Sequence, residues 1–338
     1  MEKVKVCMLG FGGIARSHLS AYRQLEAQGA PVQLVGICDI DESQFGKAQA
    51  TNLGAGTGPD LSGINLYTED EKMIAAEKPD VVDICLPSFL HEEYSVKMMR
   101  LGCNVLCEKP MSLDSDSCKR MIAASEETGK KLMIGQCLRF EPSYLYLKEL
   151  VDSGRYGKVR HAFFDRLSAL PLWGFEKWFQ DTARSGGCVT DMHIHDVDMI
   201  RFLFGEPKEV SCVSTEDVTK WQVVNSRFDY GNGTMIFALG SWDEAKTTKF
   251  RFSFRVRFDE AQVFSDGKKV TVYPDEGEVF EAELESKNRM AEEILCLCKA
   301  VLGEAVSDRI SAYEAAKTVA LVEKLRDSAD NNGQVISC

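Results

Sequence analysis

The stretch CVTDMHIHDVDMI, residues 188–200, carries two of the chain's five histidines and three aspartates. As a strand it would line Asp191, His193 and His195 along one face, a set suited to a metal ion. As a helix it stacks Asp191 on His195 four residues later, adds Asp198 to the same stripe and turns His193 away. Apolar residues at Val189, Met192, Val197, Ile200, Leu203 and Phe204 keep helical spacing, and Gly205 followed by Pro207 is a stop signal. The spacing therefore predicts a helix, and no metal site. A carboxylate stacked on an imidazole among apolar neighbours is how a general base is oriented. An ordinary helical ion pair near the surface is the other reading, and the stretch alone leaves both open.

A second constellation opens the chain. Gly10-Phe11-Gly12-Gly13-Ile14-Ala15 is a GxGxxA turn between a predicted strand and a predicted helix. The first glycine permits the tight turn, the second lets backbone approach a pyrophosphate, and Ala15 allows close helix–strand packing. Asp39 ends the next strand, where a carboxylate accepts hydrogen bonds from ribose hydroxyls and repels a 2′-phosphate. Ile40 and Asp41 follow, with no arginine, which favours NAD over NADP. Asp39 could instead cap the following helix, although Asp41 or Ser43 could do that. Two further points lie beyond the carboxyl ends of strands, where such folds hold ligands: LPSFLH (86–91) and CEKP (107–110). Lys109 is restrained by Pro110 after it, and so is a candidate for work near the nicotinamide.

These residues need elements to hold them. Strand-like runs at 4–9, 32–38, 81–86, 104–108 and 131–135 alternate with helical stretches near 13–28, 41–52, 69–77, 91–101 and 114–129. Residues 54–60 read as a loop. The alternation predicts a parallel sheet covered on both faces, a Rossmann domain over 1–134. From about 155, long runs of period two predict a large, mostly antiparallel open sheet in an α+β domain over 135–338. In KFRFSFRVRF (249–258), Phe250, Phe252, Phe254, Val256 and Phe258 share a face. Helices expected at 285–303 and 311–327 return to pack on the rest of the structure, with the first domain as one candidate.

Composition limits the partners. A chain of 338 residues with 44% hydrophobic residues is ample for two domains. Its net charge of −12 argues against nucleic acid or an anionic membrane as partner. The twelve cysteines form no CxxC pair, no apolar run approaches a membrane span, and the N-terminus runs straight into a strand. A soluble, reduced, cytoplasmic protein is expected.

Together the motifs resemble the NAD(P)-dependent oxidoreductases named after glucose–fructose oxidoreductase and inositol dehydrogenase, the Gfo/Idh/MocA family. The resemblance covers nearly the whole chain: GFGGIA (10–15), ICDID (37–41), LPSFLH, EKP (108–110), RFEPSY (139–144), GKVRHAFF (157–164), WFQDTARSGG (178–187), DMHIHDVDM (191–199) and the tail 309–325. It implies a catalytic trio of Lys109, Asp191 and His195, with His195 accepting the substrate proton. It implies cofactor contacts from Gly10, Phe11, Gly12, Gly13, Ile14, Asp39, Ile40, Leu86, Pro87, Ser88, His91, Glu108 and Lys109. It also implies a polyol or sugar substrate between the domains, met by Lys109, Arg139, Asp191 and His195. Trp178 and Asp181 are further candidates, as a floor and a hydroxyl acceptor, or else as packing beneath the SGG turn (185–187).

The 188–199 stretch looks most like the inositol dehydrogenase branch. His193 departs from it, standing where relatives carry a small residue or threonine. A His193–Asp196 pair or a substrate contact are its two readings. Ser88 and Leu138 likewise replace a frequent Asn and Arg. The resemblance implies NAD-dependent oxidation of a secondary hydroxyl, and a homodimer or homotetramer assembled through the open sheet. A tightly bound, internally recycled cofactor and a non-catalytic nicotinamide sensor are the alternatives.

Overall fold

The computed structural model describes residues 3–47, 50–51, 54–55 and 58–338. The chain divides into two compact units. The first comprises Met1–Cys137, Trp173–Phe175 and Asn288–Lys317; the second comprises Leu138–Leu172, Glu176–Lys287 and Thr318–Cys338.

The first unit runs β1 (Val4–Leu9), α1 (Gly13–Ala27), β2 (Val32–Cys38), the short paired strands β3 (Ala50–Thr51) and β4 (Gly54–Ala55), and β5 (Asn65–Tyr67). It continues through α2 (Asp70–Glu77), β6 (Val81–Ile84), α3 (His91–Arg100), β7 (Asn104–Glu108), α4 (Ser115–Thr128) and β8 (Leu132–Gly135). The six-stranded sheet has the order β5-β2-β1-β6-β7-β8, and every pairing is parallel. Helices on both faces bury the strands, so Val6, Met8, Val82, Ile84, Val105, Leu106 and Ile134 are fully inside. Asp83 breaks that apolar pattern in the middle of β6 and is fully buried too.

The expected 41–52 helix is a correction. Only Glu42–Phe45 winds, as a 3₁₀ turn capped by the Asp41 carboxylate on the Ser43 N–H, and the chain then enters β3. Residues 48, 49 and 52 of that expectation, and 56–57 of the expected 54–60 loop, lie outside the described residues. Within that loop, 54–55 is β4.

The second unit contains α5 (Pro142–Ser153), β9 (Val159–Leu167), α6 (Thr182–Ser185), α7 (Gly187–Asp191), α8 (Ile194–Phe204), β10 (Glu209–Thr215), β11 (Val223–Asp229) and β12 (Met235–Ser241). Then follow β13 (Arg251–Phe258), β14 (Ala261–Ser265), β15 (Val270–Pro274), β16 (Phe280–Glu281) and, at the end, β17 (Ile336–Ser337). Nine strands form one sheet in the order β16-β15-β14-β13-β9-β12-β11-β10-β17. Only β9 and β12 run parallel; all other neighbours are antiparallel. Phe254, Val256 and Phe258 are buried as the alternation requires, while Arg251 and Arg255 face outward.

Two helices close the chain, α9 (Arg289–Val301) and α10 (Ala312–Asp330). The first of these belongs to the first unit and packs on α1, where the Asn288 side chain that caps it also donates to Gln24 at 2.9 Å. All twelve cysteines are free, eleven of them buried. Among the described residues no helix is long and apolar enough to cross a membrane.

Candidate functional site

In the first unit the glycine turn is tightly specified. Gly10 has φ +89°, and a Cβ there would stand 2.7 Å from the Cys85 carbonyl oxygen, so no other residue fits. Gly12 differs: it opens α1, no side chain caps that end, and a Cβ on it would meet no atom within 4 Å. Uncapped N–H groups beside open space fit a pyrophosphate approaching the helix N-terminus. Gly13 and Ile14, the first residues of α1, are half-buried. Phe11 is fully buried, so it reaches outward through backbone only, with its N–H on Asp39 Oδ2 at 2.7 Å. The other Asp39 oxygen accepts the Asp41 N–H at 2.8 Å. Asp39 thus braces the turn, and its half-exposed carboxylate keeps lone pairs for hydroxyls. Ile40 stands out, 74% exposed.

Arg16 escaped the sequence reading. It lies one turn into α1 with its guanidinium 4.8 Å from the Phe11 ring centroid, donates to the Gln44 carbonyl at 2.9 Å, and feels the charge of Asp39. The search for an arginine after Asp39 could not see one brought alongside by the preceding helix.

The two loops beyond β6 and β7 are joined. His91 was expected at the cofactor, yet it is 1% exposed, and its ring nitrogens sit 2.9 Å from the Leu86 carbonyl oxygen and 2.7 Å from that of Pro110. Burial lowers its pKa. The neutral ring has one N–H and donates to one of these two carbonyls; His91 is therefore packed between the loops, a correction to the expected contact. Ser88 is also buried, while Leu86 and Pro87 are half-exposed. Glu108 is buried at the end of β7, and its Oε2 accepts the Lys109 backbone N–H at 3.0 Å. Lys109 itself is half-buried and precedes a cis peptide to Pro110.

In the second unit the 188–204 stretch is two helices, not one. The break falls at Met192 and His193: the His193 N–H reaches five residues back to the Cys188 carbonyl, and the His195 N–H only three back to Met192. A wide turn followed by a tight one re-aims the side chains on either side. Asp191 ends α7, His195 is the second residue of α8, and both are half-buried while their neighbours are inside. Upstream, Gly187 has φ +71°, and a Cβ there would run into the Lys220 carbonyl oxygen.

His193 does not pair with Asp196, nor is it open to a substrate. It is 0% exposed, with Nε2 2.9 Å from the Ser226 hydroxyl and no partner for Nδ1. Burial, with the charge of Arg166, pushes its pKa down to about 3, so it is neutral. Asp196 instead takes Arg166 in a buried two-bond fork at 3.0 Å each. Asp198 likewise takes Arg139 at 2.7 and 2.8 Å and accepts the Thr318 hydroxyl at 2.8 Å. Arg139, expected at the substrate, is 4% exposed in this pair, a further correction. Buried ion pairs of this kind lock one arrangement. Trp178 is 8% exposed and stacks on Phe179 at 4.0 Å, which is packing. Asp181 is exposed and caps α6, accepting the Ala183 N–H at 2.9 Å.

The chain matches two family models, one described as an oxidoreductase family with an NAD-binding Rossmann fold over residues 4–136, the other as the GFO/IDH/MocA C-terminal domain over 144–264. It is 31% identical over 243 residues to an inositol 2-dehydrogenase of Rhizobium meliloti (strain 1021), a match spanning 72% of this chain and 67% of that protein. It is 27% identical to a D-glucoside 3-dehydrogenase of Escherichia coli (strain K12), across 72% of this chain and 63% of that one. Among solved structures, an aldose–aldose oxidoreductase from Caulobacter crescentus complexed with glycerol superposes with a TM-score of 0.83 at 22% identity, covering 100% of both chains, a likeness of fold. With both halves matched and the glycine turn built as a phosphate cradle, the chain belongs to the Gfo/Idh/MocA family of NAD-binding oxidoreductases.

Proposed function

We propose that this protein catalyses the NAD-dependent interconversion of a secondary alcohol and a ketone on a cyclic polyol or sugar. The observation that carries the reading is the broken helix at 191–195, which leaves Asp191 and His195 half-buried in an otherwise buried stretch. Similarity to an inositol 2-dehydrogenase and a D-glucoside 3-dehydrogenase supports the substrate class. Lys109, Asp191 and His195 are the working residues. His195 takes the hydroxyl proton on an imidazole nitrogen, and Asp191 favours the imidazolium that results. The Lys109 ammonium stabilises the developing alkoxide. Bound NAD would supply the hydride acceptor for the carbon that bears this hydroxyl. Asp39 directs the choice to NAD, since a 2′-phosphate would meet its carboxylate. Arg16 beside it gives one N–H to the Gln44 carbonyl and leaves Nε and Nη1 without a partner, so the reading for NAD rests on the Asp39 carboxylate alone. The substrate is a small molecule, and a homodimer or homotetramer forms through the open sheet.

The test follows nicotinamide absorbance with NAD or NADP and a panel of inositols, hexoses and glycosides. NADH should appear with a cyclic polyol or sugar, and faster than NADPH. His195→Ala and Lys109→Ala should each lose about 10²–10⁴-fold in kcat, far more than they lose in NAD affinity. Wild-type turnover in either variant would sink the assignment.

A further inference from the structure

Asp83, buried in the middle of β6, belongs to a chain of polar groups inside the first unit. His18, on α1 and 0% exposed, places Nδ1 2.8 Å from Asp83 Oδ2 and Nε2 3.0 Å from Glu108 Oε1. Tyr22, one turn further along α1, donates its hydroxyl to Asp83 at 2.9 Å. The second oxygen of Glu108 holds the Lys109 N–H. Gly135 in β8 leaves the room for this, because a Cβ there would stand 3.1 Å from Glu108 Oε1. A neutral imidazole has one N–H and can donate to one carboxylate; only the imidazolium donates to two. Burial works against that charge, but Asp83 overrides it and holds the His18 pKa well above its ordinary value.

We propose that His18 is a positioning residue for the reaction: as an imidazolium between Asp83 and Glu108 it fixes the Glu108 carboxylate and, through it, the backbone of Lys109. This rests on Lys109 working in the proposed reaction. Its consequence is that α1, whose N-terminus forms the phosphate cradle, and the residue carrying the catalytic ammonium are tied by side chains as well as by the sheet. A histidine that merely filled the core would need neither acid. The groups facing it are Asp83 and Cys85 at the end of β6, Glu108 on β7, Tyr22 on α1, the Cys137 thiol beyond β8, and Glu293 on α9, with Arg289 acting on Glu293 from the start of that helix. Asp83 and Glu108 hold the two ring nitrogens at 2.8 and 3.0 Å, and the Cys85 thiol is a further partner beside Asp83.

Nitrogen-15 NMR of the histidine-labelled full chain reads the charge directly. His18 is expected to show two protonated ring nitrogens at about pH 7.5, above the ordinary imidazole value; a single N–H there, or titration near 6.5, overturns the proposal without any variant. In Glu108→Gln the Nε2 resonance should shift, because its carboxylate partner at 3.0 Å is replaced by a neutral amide. The same variant should lower kcat by about ten- to a hundredfold, the scale of a misplaced reacting group, and change the Kd for NAD far less than kcat. A folded Glu108→Gln chain with wild-type kcat and pH profile overturns the positioning role. Lys109→Ala run in parallel separates the two failures. If it stays active, the reading of Lys109 is wrong whatever His18 does. If it is dead while Glu108→Gln is normal, only the present inference falls.

Discussion

Glu293 is fully buried on α9, and neither of its carboxylate oxygens has a hydrogen-bond partner. Burial, then the charge of Glu108, holds its pKa well above the usual carboxylate value. The folded chain therefore keeps a proton that the unfolded chain releases above about pH 4.5. The sign follows: this group's favourable contribution is complete below that pH and is lost as pH rises toward the folded-state value. His18, also raised, acts in the same direction above about 6.5. Glu293→Gln carries a neutral amide at every pH and removes this group's share of the loss. Urea unfolding at pH 5, 6 and 7 should show the variant gaining on wild type by up to about 1.4 kcal/mol per pH unit. Parallel curves would mean that Glu293 is ionised in the folded chain.

At the scale of elements, the break between α7 and α8 is held from the sheet below. The His193 ring lies against β12, where a Cβ on Gly240 would stand 2.9 Å from Nδ1 and 3.0 Å from the His193 Cβ. Gly240→Ala keeps an accessible backbone conformation, so its effect is steric alone. It should destabilise by roughly 1–3 kcal/mol, the range for overpacking a core, and push His193 and the break that aims Asp191 and His195. We expect kcat to fall on the order of tenfold or more with NAD affinity unchanged, and His193→Thr in the same chain to restore it. Unaltered turnover in Gly240→Ala would show that the break is set elsewhere.

This break also marks where the sequence stops being legible. Spacing placed Asp191 and His195 on helix, because apolar periodicity is local and survives a single distorted turn. It could not reveal the distortion, which comes from the close approach of α7 and α8 to the sheet. For the same reason the partners of Asp196 and Asp198 were hidden: Arg166 and Arg139 lie 30 and 59 residues away in sequence. The parallel sheet was readable from its apolar runs, and the glycine turn from its local sterics. The role of His18, in the very helix that turn begins, depends on Asp83 and Glu108 from two later strands and left no local mark.

Across the whole molecule, the nine-stranded sheet is asymmetric in what its two faces touch. One face carries Phe164, Phe254, Val256 and Ile236, all buried. The other presents Phe163 at 38% exposure and Met235 at 54%, with Phe237 stacked on Phe163 at 5.5 Å and the Arg255 guanidinium 4.9 Å above the Phe163 ring. Ser253 and Asp165 hydrogen-bond across β13 and β9 on that same face. Apolar area at the centre with charge at its margin is the make-up of an association surface, and a second copy of the chain would supply the same rings and arginines. Phe163→Glu places a carboxylate among those rings on an outward position of β9, so the inner packing is untouched. Light scattering behind size exclusion should report a dimer or tetramer for the wild type and a smaller species for the variant. A wild type that runs as a monomer, or a Phe163→Glu chain of unchanged mass, would remove this face as the interface. The dissociated variant should still reduce NAD if the proposed site is complete within one chain. Loss of turnover together with loss of mass would instead mean that assembly holds the second unit in its working form.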